Sequence, residues 1–459
     1  MKKLPVLSIL VIVVILLGAA MRFYKLDSYE YRLDELDGVY RASVMTFKDT
    51  LTFSYRGANA SSSIPPLYIL LLKVWVSIFG ESEIATRMLS VFLSALSMLF
   101  FFKLIGLFTR KSRSILFGLL LFSFNFHMIM FSRMTRRYSL LVLLAIASFY
   151  LFSLVFIKKR TSRLSTISYI LLSAIGVYTD YLFVLILLSQ GIIILFRQGN
   201  LSEWLACQLA IFCLFLPWLV QIIFKKWLIH EIVLSINWIP KLTLDAFIGN
   251  IPALLMGTNA VSILFVIFLL ILAIFILVKK RNEAAAFIVP SFVPLMTLAL
   301  VSIIHSLLNI DYLLVSIPFL IILITLGFEN FRFIASFVFI VLLLGNLAQI
   351  GPLFEQNRPY STILSSIQSP NSVILPYPTY YTTVICFYAP LSCLAGSYHG
   401  GEEWIRQKLF SSPDSWLIFT NISSKPDVLH SCDFFLRGNS SKLVERKNMG
   451  PITLLHFVS

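Results

Sequence analysis

The chain has 459 residues, of which only 13% are charged and 58% are hydrophobic; soluble domains carry about 25% charged residues, so an ordinary soluble globular protein is excluded. The formal net charge of +15 does not call for a nucleic-acid partner, because most Lys and Arg flank apolar runs, where they set membrane orientation. The cysteines show no zinc-type spacing: Cys207 and Cys213 lie in an apolar run, while Cys386, Cys393 and Cys432 lie in the polar tail, where one disulfide is compatible with an extracytoplasmic location and one thiol is left over.

The N-terminus reads Met1-Lys2-Lys3, then an apolar run to Met21. Gly18-Ala19-Ala20 is small enough for signal-peptide processing, but the run fills a whole bilayer thickness, roughly 20 residues, so an uncleaved first span is expected. Further apolar runs fall near 64–80, 88–108, 114–131, 138–157, 164–179, 181–196, 204–222, 260–278, 285–304, 312–328 and 332–350. In hydrocarbon such runs satisfy their backbone only as helices.

The run at 64–80 decides the topology. It opens with Pro65-Pro66, carries Lys73 in its middle and stops at Gly80. If it crossed, with Lys2 and Lys3 inside, the clusters Arg110/Lys111/Arg113, Lys158/Lys159/Arg160/Arg163 and Lys279/Lys280/Arg281 would all lie outside, against the positive-inside rule. If it lies in the interface as an amphipathic helix, all three fall inside, together with Arg197 and Arg332. The expected fold is therefore an all-α polytopic membrane bundle of about eleven spans in the plasma (inner) membrane, N-terminus cytoplasmic and C-terminus extracytoplasmic. Residues 1–350 form the bundle, with a first outer loop at 22–87. Residues 351–459 hold short strand-like runs at 372–375, 416–420, 433–436 and 452–458, which predict a small extracytoplasmic α/β domain.

This topology gathers the unusual polar residues on the outer face. Asp34-Glu35, in the first outer loop, could supply a general base and a hydroxyl or metal contact; a solvated acidic helix balanced by Arg32 and Arg41 is the alternative. Ser132-Arg133-Met134-Thr135-Arg136-Arg137-Tyr138 puts three arginines where the charge rule disfavours them. Arginine's planar fork suits phosphate, so a lipid phosphate site would explain them; snorkelling to headgroups is the alternative. Asp180, between Tyr178-Thr179 and Tyr181, is a carboxylate at a membrane boundary, costly unless paired or useful. His305, Asn309, Asp311 and Tyr312 form another polar turn. Trp227 and Trp238 read as interfacial belt residues.

The order of these segments resembles the GT-C membrane glycosyltransferases of the glycosyltransferase family 39 type, related to protein O-mannosyltransferases and the lipid A aminoarabinose transferase. The matching residues are Asp34-Glu35, Pro65-Pro66-Leu67-Tyr68, Phe79-Gly80-Glu81-Ser82 with Arg87, Ser132-Arg133 with Arg136 and Tyr138, and the tail segment Asn371–Tyr377 with Tyr380-Tyr381. Three positions depart from that pattern: Ile64 stands where a His often precedes Pro-Pro, Asp180 replaces the His of Tyr-Thr-His-Tyr, and Asp311 replaces the Arg of a late Arg-Tyr-Leu. The resemblance implies transfer of a sugar from a polyprenyl-phosphate donor to a hydroxyl acceptor on a glycolipid, glycan or protein, with inversion. Asp34 would be the base, with Glu35 beside it. Arg133, Arg137 and Tyr138 would bind the donor phosphate, and Asp180 and Asp311 would contact acceptor or ion. No cofactor is required, although a divalent cation is compatible. A transporter would need mid-membrane charges and two related halves, which the sequence lacks. A non-catalytic scaffold of the same fold remains the other alternative, given the three departures.

Overall fold

The computed structural model describes residues 4–52, 65–224, 243, 247, 250, 253–255, 271–272, 281–303, 307–327, 329, 332–355, 373–377, 414–420, 443–449 and 452–458. Its helices are α1 (Leu4–Phe23), α2 (Leu33–Val44), α3 (Phe47–Thr52), α4 (Leu67–Phe79), α5 (Glu83–Gly106), α6 (Ser112–Ser123), α7 (Phe126–Ser132) and α8 (Tyr138–Phe152, continued by a π turn to Ile157). They continue as α9 (Arg163–Thr179), α10 (Phe183–Phe196), α11 (Leu201–Phe224), α12 (Arg281–Ser302), α13 (Ile317–Gly327, preceded by a 3-10 turn from Ile310) and α14 (Arg332–Ile350). Polar residues set several starts. Ser82 caps α5 by accepting from the Ala85 N–H, Asn125 caps α7 through Met128, and Ser162 caps α9 through Ser165, each meeting one of the orphan donors of a first turn.

Six helical stretches among the described residues are long and apolar enough to cross a membrane: Val6–Phe23, Glu83–Gly106, Tyr138–Ile157, Leu201–Ile223, Ile310–Gly327 and Phe333–Phe354. The pair α6 and α7, bent by 49°, makes a seventh if it is one span. The expected count of about eleven is not reached for specific reasons. Asn125 starts a new helix inside the apolar run at 114–131, α9 and α10 have only 17 and 14 residues, the apolar part of α12 is the shorter stretch Ala286–Ser302, and most of the run at 260–278 lies outside the described residues. The protein is a multi-pass helical membrane protein.

Helix α4 has 13 residues, about 20 Å of rise against a hydrocarbon core of about 30 Å. Lys73, in its middle, donates to the backbone carbonyls of Ala42 and Met45, and the Trp75 indole donates to Ala85 O at 2.7 Å. The lysine that made this run suspect therefore serves to tie it to the last turn of α2 and the residue that follows it.

Two of the basic segments, at 110–113 and 158–163, meet near the start of α12. Lys111 pairs with Glu329 at 3.3 Å. Lys158 lies 4.6 Å from the centre of the Phe108 ring, which packs edge-on against Phe287, near the start of α12. Between the ends, buried polar side chains join helices, the usual adhesive where lipid supplies no hydrophobic drive between them. Ser148 of α8 meets Ser173 of α9 at 2.8 Å, and Tyr169 donates to Gln190 at 2.6 Å while accepting from Gln208 at 2.9 Å.

The tail contributes four strands, β1 (Val373–Tyr377), β2 (Asp414–Thr420), β3 (Leu443–Met449) and β4 (Ile452–Val458), in the order β1-β2-β4-β3. β1 runs parallel to β2, with Val373 opposite Ser415; β4 runs antiparallel to β2 and β3, with Asp414 opposite Val458 and Met449 opposite Ile452. Three strands coincide with expected ones. The expected strand at 433–436 lies outside the described residues, and β3 was not anticipated. The chain divides into two compact units: Met1–Leu26, Arg41–Tyr55 and Ala60–Glu355 in one, and Asp27–Tyr40, Arg56–Asn59 and Gln356–Ser459 in the other.

Gly176 of α9 packs against the ring of Phe183, which is fully buried; a Cβ there would collide with the ring. Gly176→Val should therefore destabilise the detergent-solubilised protein by about 1–3 kcal/mol, the usual cost of overpacking, read as a lower melting temperature. An unchanged melt would mean that the α9–α10 turn is not closely packed.

Candidate functional site

The segment 132–138 is the centre of the end opposite the basic one. α8 starts there and runs 20 residues to Ile157, about 30 Å, next to Lys158 at the basic end. Thr135 donates to Thr86 of α5 at 3.0 Å, and Ser90 links the Arg136 carbonyl, at 3.4 Å, to the hydroxyl of Tyr68, at 3.3 Å. The Pro-Pro-Leu-Tyr segment is thereby attached to the three-arginine segment.

The three arginines do different work. Arg133, expected to bind the donor phosphate, is buried and points back at the end of α1. Its Nη1 donates to Arg22 O at 3.2 Å and to Tyr24 O, and its Nη2 donates to Lys25 O at 2.6 Å and Leu353 O at 3.3 Å. The guanidinium also stacks 5.0 Å from the Phe354 ring. Four carbonyls occupy the fork that a phosphate would need, so the surroundings of Arg133 fit a clamp better than an anion site. Arg87, from the Phe-Gly-x-Ser segment, adds a bond to Leu26 O at 2.9 Å. Lys25 sits at φ 47°, a left-handed conformation that costs a non-glycine residue energy and that the clamp holds in place.

Arg137 faces another way. Its Nε is paired with Asp180 Oδ2, and the two side chains are largely buried, 11% and 7% exposed. Asp180 ends α9 in an extended conformation and accepts from the Leu182 N–H through its other oxygen at 2.9 Å. Burial disfavours the Arg137 charge, but the adjacent Asp180 carboxylate, Tyr138 and Tyr312 together offset this, and its pKa is raised. Tyr138 donates to Asp311 Oδ2 at 3.3 Å, with the Arg137 guanidinium 5.5 Å from its ring centre. The structure thus brings together four expected site residues from three separate turns: Arg137, Tyr138, Asp180 and Asp311. Of the polar turn 305–312, His305 lies outside the described residues.

Asp34 and Glu35 belong to the other unit and occupy the first turn of α2. Their environments differ. Glu35 is buried, and its carboxylate accepts the Arg32 N–H at 3.0 Å, the reciprocal half of a capping box. Asp34, one residue earlier, is exposed. Among the described residues no three His, Cys, Asp or Glu side chains gather as a metal site.

One buried cation was missed from sequence. Arg22, inside the end of α1, is fully buried and donates to Ser94 Oγ at 2.8 Å, Gly18 O at 2.8 Å and Ser123 O at 2.7 Å. An arginine at the last turn of a first span reads as an ordinary flanking charge, and nothing in the sequence marks it as buried.

Residues 63–222 match the family model of dolichyl-phosphate-mannose-protein mannosyltransferases. In structure the chain is similar to ArnT from Cupriavidus metallidurans bound to undecaprenyl phosphate, at 12% identity and a TM-score of 0.65, with 98% of each chain covered. The apo state of the same protein gives 13% identity and 0.63, over 98% of this chain and 97% of that one. The chain has the GT-C fold. The Archaeoglobus fulgidus oligosaccharyltransferase in complex with Zn and sulfate is similar at 11% identity and a TM-score of 0.56, covering 90% of this chain and 68% of that one. No curated protein matches the sequence. The GT-C fold agrees with the motif order, and the family match takes in Pro65-Pro66, Arg87 and the whole segment 132–138.

The clamp role separates Arg133 from Arg137 experimentally. Arg133→Lys keeps the charge but cannot span four carbonyls, and it should destabilise the protein by about 3 kcal/mol, the scale of a lost charged hydrogen bond with an unmet acceptor. The check is thermal unfolding in detergent; a wild-type melt for Arg133→Lys would return Arg133 to the list of candidate ligands.

Proposed function

We propose that this protein is an integral-membrane glycosyltransferase that moves a sugar from a polyprenyl-phosphate donor to a hydroxyl acceptor at the non-cytoplasmic face. The observation that carries the reading is the buried Arg137–Asp180 pair in a GT-C fold. A charged pair at a membrane boundary loses more solvation than an apolar pair would, and such residues commonly mark a functional site. Arginine is suited to a phosphate because its fork binds two oxygens. In the absence of donor, Asp180 neutralises the guanidinium; a lipid phosphate would compete for the same fork. Tyr138, held by Asp311, supplies a hydroxyl beside it.

In this mechanism Asp34 takes the proton of the acceptor hydroxyl as its oxygen attacks the anomeric carbon. The bond from that carbon to the phosphate oxygen breaks, and the lipid phosphate leaves with its charge stabilised by Arg137. One displacement inverts the anomeric centre. Exposed Asp34 suits a base that must meet an acceptor, whereas Glu35 stabilises the turn that presents it. Asp180 and Asp311, each with a partner, orient the phosphate site rather than hold a metal, so chelation with EDTA should leave turnover unchanged. The acceptor is a glycolipid, glycan or protein. The convergence of two basic segments supports a cytoplasmic placement for that end, with the N-terminus inside and the tail outside. The parallel pairing of β1 and β2 needs a crossover connection, which supports the α/β reading of the tail.

The decisive comparison is Asp34→Asn with Glu35→Gln, scored by transfer of labelled sugar in membranes and by mass spectrometry of envelope glycolipids and glycoproteins. Asp34→Asn should lower turnover roughly a hundredfold to ten-thousandfold, the usual worth of a general base. Glu35→Gln keeps the capping acceptor and should stay near wild type. Normal transfer by Asp34→Asn would reject the mechanism; equal losses would point to a field or ion effect of the pair. For the donor site, Arg137→Ala should raise the donor concentration needed for half-maximal rate, and Arg137→Lys should recover only part of it.

Orientation has its own readout. A single cysteine at Glu81 should react with an impermeant thiol reagent in intact cells, and one at Ser112 should react only after lysis. The reverse pattern would invert the topology and move the site to the cytoplasmic face.

A further inference from the structure

At the basic end, α6, α13 and α14 enclose a cavity of about 450 Å³, a size that admits part of a lipid or a small ligand. Its two halves differ in chemistry. The interior is mainly apolar, with the rings of Phe117 and Phe339, stacked 4.3 Å apart, and with Leu121, Ile324 and Val338; the buried Ser114 and Thr325 also line it. The mouth carries Lys111, Arg113 and Glu329. Glu329 is balanced by Lys111 at 3.3 Å and accepts from Thr109 at 2.8 Å, so the net formal charge of these three mouth residues is that of Arg113. Arg113 is exposed, donates to Ser336 of α14, and lies 5.1 Å above the Phe117 ring. Beside the mouth, Phe333 and Phe337 of α14 are 93% and 68% exposed, as expected of a surface that faces lipid. The Arg137 cluster lies at the opposite end of α8, so this cavity is not part of the transferase site.

We propose that this cavity is a binding site for one anionic phospholipid, with an acyl chain in the slot between α6 and α14 and the headgroup phosphate on Arg113. A soluble anion would use the mouth and leave the apolar interior empty. A zwitterionic lipid would fill the interior but bring a cation towards Arg113. An anionic glycerophospholipid matches both halves, and basic pockets between membrane helices at the cytoplasmic side are known to take such headgroups. Bound there, the lipid would join α6 to α14, adding to the Arg113–Ser336 contact at the mouth, and would stiffen that end of the bundle.

Native mass spectrometry of the full chain in detergent tests this, with equimolar dioleoyl-phosphatidylglycerol and dioleoyl-phosphatidylcholine as probes. The wild type should retain one phosphatidylglycerol in preference to phosphatidylcholine. Arg113→Ala should retain it about fivefold less well, the effect of one basic residue near an anionic headgroup, and Arg113→Lys should keep most of the preference. Ala335→Trp, which fills the slot from α14, should reduce retention of either lipid at this stoichiometry. Equal retention of the two lipids by wild type, or unchanged retention in Arg113→Ala or in Ala335→Trp, overturns the proposal. Should a variant not fold, the wild-type preference and Arg113→Lys still decide. The readout is independent of sugar transfer, so failure here and failure of the transferase reading are distinguishable.

Discussion

The last carbonyls of a helix have no partner within it, and at the end of α1 they meet arginines from elsewhere in the chain. Arg133 reaches Arg22 O, Tyr24 O and Lys25 O, and Arg87 reaches Leu26 O. Guanidinium groups suit this task because they carry several donors in a fixed plane and because positive charge is favoured at a helix C-terminus. The clamp fixes where the first span stops, and it holds Lys25 in a conformation it would not choose alone. Arg22 adds a fully buried cation just below, held by Ser94 and two carbonyls.

The segment 132–138 then divides its roles by direction. Arg133 supports the scaffold, while Arg137 and Tyr138 meet two carboxylates from distant turns. Those carboxylates, Asp180 and Asp311, are two of the positions where the chain departs from the pattern of the glycosyltransferases it resembles. They are therefore not isolated losses. Asp180 pairs with Arg137, which helps to keep a charged arginine where burial alone would disfavour it, and Asp311 accepts from the Tyr138 hydroxyl.

The two ends of the bundle follow different chemistry. One end is mainly basic, and its described cations lie beside aromatic rings or, for Lys111, beside the Glu329 carboxylate. The other end carries both signs, buried and paired. Charge distribution of the first kind sets orientation; distribution of the second kind is costly and is found where a site needs it. That contrast places the proposed transfer chemistry and the proposed lipid site at opposite ends of α8.

The sequence by itself determined the class: a multi-pass helical membrane protein follows from run length and charge content, because lipid leaves the backbone no other solution. The motif order also points to the GT-C fold. Lys73 and Pro65-Pro66 marked α4 as exceptional, since a charge and a helix breaker are visible as residue types. Tertiary structure alone decided which arginine does what. Arg133 and Arg137 are the same residue four positions apart, and only the direction of each side chain distinguishes a clamp from a candidate phosphate ligand. Asp34 and Glu35 are separated more locally: Glu35 caps its own helix through Arg32, and Asp34 is exposed. Residue type and spacing record which groups a chain carries; what each group meets depends on segments more than 40 residues apart, as Arg137 and Asp180 are, and that pairing is written only in the fold.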